Sequence, residues 1–163
     1  MRAWTASIII ILLGLCVPSF AEDLDVMGQA VGNPDVILVH VGLGDPNNGA
    51  SWGLSVAHEP EQGLMEQSTS FGAFAALTTD LLAVGNVPQP YQGLDVKGFI
   101  SVDVLYDFDH DRISVWPGVG ARIAPQKTMA FLAMAVYPMG DEGYPSPLDL
   151  NTPAGLFGLE IRF

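Results

Sequence analysis

The sequence is poor in basic residues and nearly without cysteine, and it has no long apolar run beyond its leading segment. Six Lys and Arg stand against 18 Asp and Glu, a formal charge of −12. Phosphate binding needs a basic footprint, so nucleic acid is excluded as a partner. The single cysteine, Cys16, excludes a disulfide framework and thiolate metal sites. After residue 21 no segment reaches the roughly 18 apolar residues of a membrane-spanning helix. The chain is nevertheless 49% hydrophobic and only 15% charged, unusually apolar for a secreted soluble domain. A chain whose apolar residues are diluted by polar ones at alternate positions has this composition.

Residues 1–21 read as a secretory signal peptide. Arg2 supplies the positive start, residues 6–17 are apolar, Pro18 ends the run, and Ser19 and Ala21 place small residues before a cut at Glu22. A lipoprotein signal would need a small residue before Cys16, and Leu15 is not one. Cleavage leaves 142 residues, enough for one domain over 22–163, with 5 basic against 18 acidic residues.

Period-two alternation runs through that domain. Strands are expected at 24–31, 36–44, 51–58, 68–79, 93–107, 112–124, 128–138 and 154–163. In 36–44, Ile37, Val39, Val41 and Leu43 share a face; in 51–58, Trp52, Leu54 and Val56 do. The turn-forming stretch at 45–49 folds these two runs into a hairpin that brings Leu43 beside Trp52, Val41 beside Leu54 and Val39 beside Val56. Residues 93–107 set Leu94, Val96, Ile100, Val102, Val104 and Tyr106 against Asp95, Lys97 and Asp103. Pro117 inside 112–124 costs a ladder hydrogen bond and predicts a bulge. Residues 68–85 and 128–138 fit helical spacing as well as strand spacing, and strand is preferred because their neighbours are strands.

The last nine residues alternate Phe157, Leu159, Ile161 and Phe163 with Gly158, Glu160 and Arg162. This pattern, ending on an aromatic, resembles the closing strand of bacterial outer-membrane β-barrels. The resemblance implies an all-β fold, an eight-stranded antiparallel transmembrane up-and-down β-barrel in the cell outer membrane. It also implies that Phe157, Gly158, Leu159, Ile161 and Phe163 form a signal read by the barrel-assembly machinery, and that both termini lie in the periplasm. The loops after strands three, five and seven would then face outward. They carry Glu59, Glu61, Glu66, Asp107, Asp109, Asp111, Asp141, Glu142 and Asp149, half of all the acids. Outer-membrane lipid and lipopolysaccharide are the expected partners, and the barrel is expected to be a monomer.

The alternation places His40, Asp95, Lys97, Asp103, Arg112, Arg122, Glu160 and Arg162 in the lumen. In a barrel this small, side chains fill the interior, so a paired structural network is the primary reading and an ion path the secondary one. Asp107, Asp109 and Asp111 begin like an oxygen-ligand calcium loop, but Arg112 and Gly118 stand where such a loop needs Gly and Glu. A solvated turn is preferred there, with no cofactor and with calcium as the alternative. Trp52, Tyr91, Tyr106, Trp116 and Phe163 lie near strand ends, as girdle aromatics do, although the parity of Trp116 points it inward.

In size, signal peptide and closing strand the chain also resembles outer-membrane lipid A deacylases, which use a His-x-Ser pair. No histidine here precedes a serine by two positions. Palmitoyl-transfer barrels use His, Asp and Ser on outer loops, which His110, Asp109 and Ser114 would have to supply. The expected function is therefore structural or surface interaction without a catalytic site. The alternatives are a lipid A-modifying enzyme and a secreted soluble β or α+β domain.

Overall fold

The computed structural model describes residues 24–45, 49–60, 67–80, 95–140 and 153–163. Among the described residues there are nine strands: β1 (Asp25–Gly32), β2 (Ile37–Gly44), β3 (Ala50–Glu59), β4 (Ser68–Asp80), β5 (Asp95–Asp107), β6 (Arg112–Gln126), β7 (Met129–Val136), the two-residue β8 (Met139–Gly140) and β9 (Ala154–Arg162). All pairings are antiparallel, in the order β5-β4-β3-β2-β1-β9-β7-β6, and β5 pairs with β6 to close the sheet. β8 continues the line of β7 along β6, so the two form one stave of an eight-stranded closed barrel.

The alternation dictates this closure. A strand with one apolar and one polar face needs two different environments, and a closed sheet supplies both without leaving an edge. The expected hairpin register is the observed one: Leu43 pairs with Trp52, Val41 with Leu54 and Val39 with Val56. Residues 68–80 of the first ambiguous segment and 129–136 of the second are strands, β4 and β7, and residues 81–85 lie outside the described residues. Glycine permits the tight curvature of the β2–β3 hairpin. Gly42 and Gly53 face each other, and a Cβ on either would stand 2.1 or 2.3 Å from the partner strand's carbonyl oxygen.

The expectation at Pro117 is corrected. The β5–β6 register runs without a shift from Asp95↔Ala124 to Asp107↔Arg112, with Pro117 opposite Val102. The ladder shifts instead between Ile123 and Gln126, where β6 turns toward β7. Pro117 uses its carbonyl, which accepts the Tyr137 N–H at 2.8 Å, and its missing donor falls where the neighbouring stave breaks at Tyr137 and Pro138. Two prolines on adjacent staves thus interrupt one ladder without bending the strand.

The two faces divide by chemistry. None of the outward positions on the nine strands holds Asp, Glu, Lys or Arg. Large apolar side chains are exposed there, including Leu54 at 65% and Phe157 at 70%, and Phe163 just beyond β9 is 81% exposed. Phe71, Tyr106 and Phe108 form an outward aromatic cluster at one end, with ring centroids 6.1 and 4.7 Å from Phe108. Trp52 faces outward, whereas Trp116, taken as a girdle candidate on position, is buried inside the barrel at 3% exposure, as its parity requires. Tyr91 lies outside the described residues.

Candidate functional site

The lumen is built by register. Ladder pairing sets Ser55, His40, Gln29 and Glu160 side by side across β3, β2, β1 and β9, all at inward positions. Asp103 reaches this row from β5, Arg122 from β6, and Arg162 lies two residues beyond Glu160 on β9.

Glu160 is the acceptor at its centre. Arg122 Nε and Arg162 Nε donate to Oε1 at 2.8 and 2.7 Å, and Gln29 Nε2 donates to Oε2 at 2.8 Å. A carboxylate only 1% exposed is thereby neutralised and saturated by donors. The Gln29 amide is oriented by this bond, so its oxygen faces His40 Nδ1 at 2.8 Å and that nitrogen must carry a proton. His40 Nε2 then meets Asp103 Oδ1 at 2.7 Å, and Ser55 Oγ donates to the same oxygen. A hydrogen bond thus joins the imidazole and the carboxylate where neither meets solvent. Phe74 stacks on His40 with centroids 4.2 Å apart.

The next inward residue on each strand, counted away from the termini, is apolar: Val31 after Gln29, Leu38 beyond His40, Ala57 after Ser55 and Leu105 after Asp103. With Trp116, Val136 and Leu156 they form a buried cluster across the barrel. Past it lies a second polar group. Asp107 accepts from Ser68 Oγ at 2.8 Å, from His110 Nδ1 at 2.7 Å and from Arg112 Nη2 at 3.4 Å. The two polar groups are separated by the apolar layer. Beside the Glu160 network the free space is a cavity of about 10 Å³ bordered by Ser101, whose Oγ is buried without a protein partner. That is room for about one water. At the mouth where β1 begins and β9 ends, the lumen widens into a basin of about 560 Å³ reached by Lys97, Arg122, Lys127 and Arg162.

All eight expected lumen residues occupy inward positions, but they form two groups rather than one. His40, Asp95, Lys97, Asp103, Arg122, Glu160 and Arg162 belong to the terminal half, and Arg112 to the other. A reading that counts only charges misses Gln29, Ser55, Ser68 and Phe74. Ser55 was legible by parity within the hairpin, whereas Gln29 sits on β1, where the alternation is weakest.

Asp107, Asp109 and Asp111 do not converge. Asp107 points into the barrel and also caps the turn through the backbone N–H of Asp109 and His110, while Asp111 takes the Tyr106 hydroxyl and adopts φ 51°. Among the described residues no group of three His, Cys, Asp or Glu is placed to hold a metal ion. His110 is bound by Asp107 rather than Asp109, and Ser114 sits inward on β6 opposite Leu105. On the outer surface Thr69 Oγ1 lies 2.9 Å from His58 Nδ1, but no acid among the described residues orients the other ring nitrogen, as an activated hydroxyl would require. Glu61, Glu66, Asp141, Glu142 and Asp149 fall outside the described residues.

Fold and interior together define the class: a closed eight-stranded antiparallel β-barrel, charged inside and apolar outside. No known family, characterised protein or solved structure matches the chain.

Proposed function

We propose that this protein is a small outer-membrane β-barrel, exported through residues 1–21, with a structural or surface-interaction role. One observation carries the reading: the outward strand positions are mostly apolar and hold no Asp, Glu, Lys or Arg, while the buried charges lie inside. A soluble barrel has the opposite arrangement, because water would solvate those charges and reject that surface. Hydrocarbon around the barrel reverses both preferences. The terminal strand fits the same reading, with Phe157, Leu159, Ile161 and Phe163 outward and Glu160 and Arg162 inward.

The interior supports an anchor rather than a pore, since the apolar layer at Leu38, Leu105 and Trp116 interrupts any polar path. What it anchors is the far rim, where the sequences connecting β3 to β4, β5 to β6 and β8 to β9 are rich in acid. Lipopolysaccharide and its bridging cations are the partner class for such a rim, and the barrel-assembly machinery is the partner during biogenesis.

Cell fractionation tests this. The protein should stay with outer membranes after a carbonate wash and run faster on gels when unheated. Recovery in the soluble periplasmic fraction would sink the proposal.

A further inference from the structure

Four of the six basic residues of this acidic chain gather at one place, the basin of about 560 Å³ at the terminal mouth. Its size is within the range of small-molecule sites, roughly 300–1,000 Å³. Two arginines form its inner wall. Arg122 is tied by Nε to Glu160 and by Nη1 to Asp95 at 3.2 Å. Arg162 is held differently. Only its Nε is used, by Glu160 at 2.7 Å, and among the described residues neither Nη1 nor Nη2 has a side-chain acceptor.

A guanidinium pinned by one edge presents its other two nitrogens as a fixed, end-on pair of donors. Gly44 packs beside this end of the guanidinium, where a Cβ would stand 3.5 Å from Nη1 and 3.3 Å from Met27 Sδ. The side chain is 12% exposed, so the fork works between low-dielectric walls, where charge-assisted bonds are strong. Lys127 adds a positive charge at the rim. Asp95 is occupied by Arg122 and lies 3.8 Å from Lys97. Asp25 and Asp45 also border the basin, which disfavours a diffuse polyanion and favours one compact anionic group aimed at the fork.

The geometry points to a binding site for a small soluble anion, carrying one carboxylate or phosphate group, at the terminal mouth, with Arg162 as the bidentate donor and Lys127 as the rim charge. The donors lie inside the barrel's mouth, on inward positions of the strands, so the ligand comes from the aqueous side and not from the surrounding lipid. The site does not depend on the anchoring role proposed above, and it can be measured on folded protein in micelles.

Isothermal titration calorimetry of the folded barrel at low ionic strength, with inorganic phosphate and separately acetate, reads the site. Both probes should bind saturably. Arg162→Lys keeps the charge but loses the fork, and should weaken binding on the order of ten-fold. Lys127→Gln should weaken it about two- to three-fold. Unheated gel mobility certifies each variant as folded, and Lys127, outside the Glu160 network, keeps the test decisive if Arg162→Lys fails to fold. Absence of saturable heat with both probes, or unchanged affinity in every folded variant, overturns the site. Phosphate binding in phosphatidylcholine nanodiscs that vanishes in phosphatidylglycerol nanodiscs would assign the fork to a lipid headgroup and overturn the soluble ligand.

Discussion

Glu160 carries more of the interior than any other single residue, because two guanidinia and an amide converge on its carboxylate. Removing one partner of a buried ionic group costs more than the group is worth intact, since the remaining charges lose their counter-ion. Glu160→Ala should destabilise the folded barrel by about 3–5 kcal/mol, measured by urea unfolding in micelles. Glu160→Gln should cost less, because the amide oxygen still accepts from Arg122 and Arg162. Equal losses for the two variants would show that the charge, which both remove, and not packing or the retained acceptor sets the value of this residue. At the β5–β6 turn two of the three carboxylates accept from the chain's own donors, Asp107 from Ser68, His110 and Arg112, and Asp111 from Tyr106. Calcium titration of the folded protein should therefore give no saturable heat from this turn.

Among the elements, the β2–β3 hairpin and β9 were the most legible in the sequence. Period-two alternation in both, with a short turn-forming connection at 45–49 in the hairpin, leaves one register that aligns the main apolar faces of the paired strands. Parity alone then places His40, Asp103 and Glu160 inside. Parity cannot say which inward residues meet across the barrel, since that follows from closure and strand stagger; Asp103 finds His40 sixty-three positions away. Nor can it show that neutral Gln29 is the link between His40 and Glu160. Proline rules also over-reach here. Pro117 has the ladder cost expected of it, but the cost falls on a stave already broken at Pro138, so no bulge is needed. Leu54, outward at mid-strand between Val41 and Ala73, tests the face assignment. Leu54→Lys should destabilise the barrel in bilayers by roughly 2–4 kcal/mol, the range for a lysine near a bilayer midplane. In a soluble fold the same exchange at so exposed a site would be nearly neutral.

At the scale of the molecule, charge inside and hydrocarbon-like surface outside are one fact seen from two sides, and the apolar layer across the lumen adds that the barrel is shut. Planar-bilayer recordings of purified protein should show no discrete conductance steps. Steady openings in the wild-type barrel would mean that the Leu38, Leu105 and Trp116 layer does not seal it. The most direct test of the central claim uses two tryptophans that the fold places on opposite faces, Trp52 outward and Trp116 in the core. Exported, membrane-purified Trp116→Phe retains Trp52, and Trp52→Phe retains Trp116. Reconstituted in vesicles of brominated-chain lipid, the Trp52 emission should be strongly quenched and the Trp116 emission much less so. Quenching of neither residue, with both variants folded, would contradict a barrel whose outer face lies in hydrocarbon.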